Sequence, residues 1–591
     1  MERYPPKAGH SASSNRRLYV WYGVLFFIIG IIIVRLFYLQ IIRHDYYQKA
    51  ALNDQQKQYV IAPERGIIQA HQGGEVLPLV LNEKLYTLYA DPTLVKNPTI
   101  AAAKITGITK GDSNQYDSLM KTKNARYVVL AKRLSEQQDK QIMALKLPGI
   151  GLQAQDYRTY PQGSLAAQVL GFVNNDGQGT YGVEQALNGG LSGTPGLLKA
   201  ITDASGVPLA ASRDNVSIDP KAGADVTLTI DLSMQKNLEA ILKQGLERVK
   251  SPSGSAIIMD PNTGAILAMA NYPSFDPSHY FDVSDPGLFN NPSVSAPLEI
   301  GSVMKSLTIS AGLDQGVITP DTTYHDPGYV TVDGFTIKNV HSIPEDPTSI
   351  KDVLQLSLNT GAIHVLKQLG GGDFNQKGRD IWHDYMSNHF RLGKPTGIEL
   401  PNEGTGSIPN PDKGYALNLQ YANTSFGQGM TASLLQMVSA FSSVVNGGNY
   451  FKPYIVDSRS RTNGQIDQTK PQIVKNNVIS STASSQIRGL LQYVFESNYT
   501  AYESKLHPGY IVGGKTGTAQ IPQPGGGYKD NIYNGTFMGF VGGDKPQYVA
   551  AVLVNTPDLP GYDSAGAQAA APIFGNIDDM LIDNFGVIPK S

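Results

Sequence analysis

Gly301-Ser302-Val303-Met304-Lys305 stands directly before the apolar series Leu307, Ile309, Ala311 and Leu313. A Ser and a Lys three residues apart face each other across one helical turn, so an amine lies beside a hydroxyl that it could deprotonate. The glycine and the apolar run place this Ser at a helix N-terminus, where the positive end of the dipole favours a developing anion. The same spacing recurs at Ser118 to Lys121 and at Ser233 to Lys236. The first copy lies in a Lys/Gln/Asn-rich stretch that reads as surface. The second lies in an amphipathic run (Leu232, Leu238, Ile241, Leu242, Leu246) that reads as plain helix. Only the Ser302 copy combines the glycine and the long apolar helix with two further pieces downstream: Ser357-Leu358-Asn359, then Lys515-Thr516-Gly517-Thr518. Ser-x-Asn occurs once more, at Ser13, and Lys-Thr-Gly does not recur. The ordered triple is therefore far more specific than any member.

Outward from this centre, the 591 residues are too many for one core and imply two or three domains. Charged residues make up 17% and the net charge is −2 without a long basic stripe, which argues against a nucleic-acid partner. The absence of cysteine removes disulfides, thiolate catalysis and Cys-ligated metal sites, and the histidines never form H-E-x-x-H, so neither a metal centre nor a cofactor is expected. Leu18 to Val34 carries no charge and the apolar character continues to Ile42, enough to cross a bilayer as a helix. The span is too long for a cleaved signal peptide and no A-x-A site closes it, so it reads as a retained anchor. Arg3, Lys7, Arg16 and Arg17 crowd its N-terminal side, which predicts a cytoplasmic tail (1–17), an anchor (18–42) and an exported remainder.

Beyond the anchor, residues 43 to 225 alternate short strand-like runs with helical stretches and Gly/Pro turns. From Val226 the pattern is strand, helix, a hairpin turning at Asn262-Thr263-Gly264, a helix-rich insert that holds Ser302 and Ser357, and then terminal strands (510–513, 515–520, 536–542, 547–555) with a last helix (567–581). This is an α+β order. The stretch Pro522 to Asn534, with three consecutive glycines, reads as a mobile loop.

The Ser-x-x-Lys, Ser-x-Asn, Lys-Thr-Gly set resembles that of the penicillin-interacting serine acyl enzymes. Over nearly its whole length the chain resembles the class B penicillin-binding proteins, membrane-anchored D,D-transpeptidases that cross-link peptidoglycan. The resemblance extends to Arg65-Gly66, to Arg158 and Gly163, and to Gly182 and Glu184, which in that family tie a pedestal (here 43–225) to the transpeptidase domain (226–591). Each of these alone is also compatible with an isolated surface residue. The resemblance implies a transpeptidase fold with helices on both faces of an antiparallel sheet. It implies Ser302 as nucleophile, Lys305 as its base, Ser357 and Lys515 in proton relay and Asn359 orienting the substrate. Thr516, Gly517 and Thr518 would bind the substrate peptide and its terminal carboxylate, and the backbone N–H groups of Ser302 and Thr518 would form the oxyanion hole. Phe426-Gly427-Gln428-Gly429 also resembles the family pattern, and reads equally well as a glycine loop before a helix. The chain departs from that pattern at Val303, where Thr is usual, and at Ser306, where Pro is usual.

The implied activity is transpeptidation of D-Ala-D-Ala stem peptides with inhibition by β-lactams. The chain has no Glu-Asp glycosyltransferase signature after the anchor, so the glycan polymerase is expected to be another membrane protein of a cell-wall synthesis complex. The compact pedestal favours a role in division. A D,D-carboxypeptidase or β-lactamase, and a β-lactam or peptidoglycan sensor without turnover, are the competing readings.

Overall fold

A computed structural model describes residues 13–47, 56–201, 216–340, 346–461, 464–523, 525–562 and 564–591. The tail residues Arg3 and Lys7, on which part of the orientation argument rests, lie outside them. The chain divides into two compact units, residues 1–63 with 194–221 and residues 64–193 with 222–591.

In the first unit, the helix Ser13–Phe37 runs on into a π-turn at Tyr38–Ile42. From Arg16 to Ile42 it is long and apolar enough to cross a membrane, and its apolar side chains are exposed. The same unit holds a three-stranded antiparallel sheet of Gln56–Ile61, Gly196–Ile201 and Val216–Ile218.

The second unit is built around a five-stranded antiparallel sheet. Its strands lie in the order Ile266–Tyr272, Ser253–Met259, Pro546–Asn555, Tyr528–Gly542, Ile511–Pro522. Alternation along Ser253–Met259 sends Ile257 and Met259 into one core and Ala256 and Ile258 into the other. Against the first face lie the helices Met304–Asp314, Leu434–Val445 and Ser481–Glu496. Against the second lie Leu232–Arg248 and Ala571–Asn584, through Leu238, Leu242, Phe574 and Ile577. Asp231 caps the Leu232 helix by accepting the Met234 N–H at 2.9 Å.

Two sequence expectations change on this sheet. The two runs at 510–513 and 515–520 are one unbroken strand, because Gly513 and Gly514 pair with Phe540 and Gly539 without leaving the register. The stretch expected as a mobile loop from Pro522 to Asn534 is mostly strand. Tyr528 pairs with Pro522 and Asn534 with Ala519, and the glycines at 525 to 527, all at positive φ, make only the reversal between them. The strand Val226–Asp231 does not join this sheet. It lies parallel to Ile68–Gln72 and antiparallel to Val456–Ser460, so residues from both sides of the expected 225/226 boundary share one sheet.

The long strand Glu75–Ala90 continues away from that second sheet, pairing with Val128–Leu134 and Ile150–Thr159. Three helices (Pro98–Thr109, Ser113–Met120, Glu136–Ala144) cover this part through Ala102, Ile105, Met120 and Ile142. The Arg and Glu residues of the pedestal motifs form one buried network. Glu184, with no exposed side-chain surface, accepts from Arg158 Nε at 2.9 Å and from Arg65 Nε at 2.8 Å. Arg65 also donates to Asn188 and Arg158 to Asn82 and to the Gly66 carbonyl. Gly66 is obligatory there, since a Cβ would sit 1.9 Å from the Ala224 carbonyl oxygen.

Candidate active site

Gly301–Val303 forms a 3-10 turn that leads directly into the helix Met304–Asp314, whose residues 304 to 313 are all buried. Ser302 thus sits at the head of a helix driven through the core, and Lys305 one turn on has no exposed surface. Lys305 Nζ donates to Ser302 Oγ at 2.9 Å, to Asn359 Oδ1 at 2.9 Å, to Ser357 Oγ at 3.2 Å and to the Ser357 carbonyl at 2.5 Å. The first two sequence motifs therefore meet on one nitrogen.

Ser357 holds a left-handed backbone (φ 56°), which lets the chain turn sharply before the helix Asn359–Leu369 begins. Asn359 Nδ2 donates to the Lys338 carbonyl at 3.1 Å, so its amide presents oxygen to Lys305. Behind it, Thr360 Oγ1 donates to Asp326 Oδ2 at 2.5 Å and the Thr360 N–H to Asn339 Oδ1 at 3.0 Å. Burial, joined by the Asp326 charge, raises the pKa of the nearby Tyr324 phenol, and burial lowers that of His364, stacked on Tyr324 at 4.5 Å.

The third motif runs along the edge strand Ile511–Pro522. Lys515 is buried, and its Nζ donates to the Thr516 carbonyl at 3.0 Å and hydroxyl at 3.2 Å. The strand meets the nucleophile turn backbone to backbone. A Cβ on Gly301 (φ 65°) would stand 2.2 Å from the Thr518 carbonyl oxygen, and one on Gly427 (φ 90°) would stand 2.1 Å from the Gly301 oxygen. The Gly301 N–H donates to the Gly427 carbonyl at 3.1 Å. The Phe426–Gly429 segment is thus a brace under the Gly301–Val303 turn as well as a loop before a helix.

Ser302, Ser357, Asn359, Thr516, Gly517 and Thr518 line one cleft of about 300 Å³. Its walls include residues that no sequence pattern singled out: Val340, Gln355, Asn498, Ala501, Tyr502 and Tyr562. Tyr562 donates to the Thr518 carbonyl at 3.1 Å, and Tyr502 packs edge-on against Phe537 at 5.4 Å. Apart from Gln355, which ends the helix Ile350–Gln355, these come from loops, where no period marks a functional side chain. The other Ser-x-x-Lys copies make no such site. Lys121 pairs with Asp117 at 2.5 Å, and Lys236 is exposed on its helix.

A family profile for the penicillin binding protein transpeptidase domain matches residues 254–579, and one for the penicillin-binding protein dimerisation domain matches residues 60–228. Stage V sporulation protein D of Bacillus subtilis is 32% identical over 576 residues, 96% of this chain and 85% of that protein. The probable peptidoglycan D,D-transpeptidase PbpC of Pseudomonas aeruginosa is 30% identical, over 96% of this chain and 95% of that protein. Among solved structures, penicillin binding protein 3 of Mycobacterium tuberculosis complexed with aztreonam is 26% identical with a TM-score of 0.66, over 90% of this chain and 98% of that one. With a transpeptidase profile over more than half its length and relatives of this similarity over nearly all of it, the chain belongs to the class B penicillin-binding proteins.

Proposed function

We propose that this protein is a peptidoglycan D,D-transpeptidase that works through an acyl-enzyme on Ser302. The observation that carries the reading is Lys305 Nζ, buried and within 2.9 Å of both Ser302 Oγ and Asn359 Oδ1. Lys305 takes the Ser302 proton as the neutral amine, and its place beside Ser302 Oγ puts it in reach of that proton. The Ser302 alkoxide adds to the penultimate D-Ala carbonyl, and the oxyanion is held by the Ser302 and Thr518 N–H groups. Losing one such donor typically costs roughly 3 kcal/mol of transition-state stabilisation. The C–N bond then breaks, and the leaving D-Ala nitrogen takes a proton passed from Lys305 through Ser357, with Lys515 completing the relay. An acceptor amine attacks the ester, its proton passing to Lys305 and from there to Ser302 Oγ as the C–O bond breaks. Asn359 orients the donor peptide, while Lys515, Thr516 and Thr518 hold its terminal carboxylate and Gly517 admits it close to the strand. The name borne by the Pseudomonas aeruginosa relative supports this activity.

In this reading residues 18–42 anchor the chain with 1–17 in the cytoplasm, 43–225 form the pedestal and 226–591 carry the chemistry outside the membrane. A membrane-embedded polymerase of the cell-wall complex supplies the glycan, with division as the setting. Labelling with a fluorescent penicillin tests the nucleophile. Ser302→Ala should abolish the covalent adduct, whereas Ser118→Ala and Ser233→Ala should label normally. Persistent labelling of the Ser302 variant would overturn the assignment. Product analysis with an amine acceptor present separates cross-linking from hydrolysis.

A further inference from the structure

Three residues before the nucleophile, Glu299 is 7% exposed. Its Oε1 accepts the Gly429 N–H at 2.9 Å and the Tyr528 hydroxyl at 3.2 Å, while its Oε2 is buried without a hydrogen-bond partner among the described residues. Burial pushes this carboxyl above the usual range, opposed by the same two hydrogen bonds. A half-satisfied buried carboxyl is costly, so its presence beside the reacting serine calls for a compensating role.

The two groups that Glu299 binds belong to different elements, and both bound the nucleophile turn. Gly429 ends the Phe426–Gly429 brace, whose Gly427 carbonyl holds the Gly301 N–H. Tyr528 starts the strand that returns along Ile511–Pro522, paired with Pro522, and so belongs to the hairpin that carries Thr516 to Thr518. Gln428 Nε2 adds a second strap by donating to Gln520 Oε1 at 3.1 Å. Brace, hairpin and nucleophile segment therefore converge on one side chain.

We propose that Glu299 is a positioning residue that clamps the Phe426–Gly429 brace and the 511–542 hairpin to the segment leading into Ser302, and so holds the Ser302 and Thr518 N–H groups in register during acylation. This rests on the Ser302 acyl-enzyme reading. What the clamp requires is an acceptor oxygen at the end of a side chain of this length, which Gln supplies and Ala does not.

The test compares Glu299→Ala, Glu299→Gln and Tyr528→Phe in the full-length protein, by stopped-flow acylation with a fluorescent penicillin and by hydrogen exchange of the unacylated enzyme. Glu299→Ala should lower the acylation rate constant on the order of 10²-fold, the usual consequence of a small misplacement, with little change in the noncovalent dissociation constant. The same variant should speed exchange at both 426–429 and 520–528. Glu299→Gln should recover most of the rate and the protection, and Tyr528→Phe should lose less than Glu299→Ala and add nothing to it in the double variant. Undisturbed exchange in Glu299→Ala, or Glu299→Gln as impaired as Glu299→Ala, would overturn the clamp. Because exchange needs no acylation, that readout stands even if wild-type Ser302 fails to label, which would count against the function alone.

Discussion

At the scale of single residues, the proposed acylation depends on Lys305 losing its proton. Lys305→Arg keeps a positive charge but has no accessible neutral form, and should slow acylation by roughly 10² to 10⁴, the value of a general base. Near-wild-type labelling of that variant would make Lys305 only an electrostatic partner. Ser306, one position along, shows the opposite case. Its hydroxyl is buried with no hydrogen-bond partner among the described residues. Ser306→Ala should therefore raise the unfolding free energy by about 1 kcal/mol while leaving acylation intact, as a denaturant titration with a labelling control would register. The three motifs that meet at one cleft were legible in the sequence because each member has its own chemistry and the three come in a fixed order. Glu299, Tyr502 and Tyr562 were not legible. A lone Glu before Gly-Ser, or a Tyr in a loop, is the same letter whether it braces a nucleophile or faces solvent.

At the scale of elements, periodicity delivered the sheet and its helices. The hairpin at Asn262-Thr263-Gly264 and the helix from Leu232 appear where alternation and the 3.6-residue repeat put them. Composition misled at Pro522 to Asn534. Glycine permits both disorder and a tight reversal, and only cross-strand pairing of Tyr528 with Pro522 decides between them. The last helix carries a titratable test of its packing. Asp578 has no exposed surface, and burial first, then the neighbouring Asp579 charge, raises its pKa well above the usual value, while Ser504 Oγ donates to it at 3.0 Å. A carboxyl raised on folding binds more protons in the native state. Its contribution is therefore greatest below the unfolded-state pKa and declines as pH rises towards the folded-state one. Asp578→Asn, which keeps the shape and a hydrogen bond to Ser504, should flatten that decline in melting temperature measured from mildly acidic to neutral pH. An unchanged pH profile would mean that Asp578 stays ionised when buried.

At the scale of the whole molecule, the Arg65–Glu184–Arg158 network joins segments more than a hundred residues apart in the chain. Sequence offered it only as three motifs in order, because ion pairing is invisible until the fold brings the charges together. Glu184→Ala leaves two guanidinium groups without their shared acceptor, and should destabilise the unit by roughly 3 to 5 kcal/mol, read from the denaturation midpoint. The glycine contacts around Ser302 have a different reach. At Gly301 and Gly427 main chain touches main chain, so a side chain at Gly301 would part the Ser302 turn from the 511–522 strand and one at Gly427 would part it from its brace. Under β-lactam selection these positions are closed to change, since any side chain there would collide with the facing main chain. Escape variants are expected in the cleft walls instead, at positions such as Val340, Gln355, Asn498 and Ala501, which line the cleft as wall residues rather than through a main-chain contact under Ser302. The route to resistance is thus narrowed to the wall by the geometry of its floor.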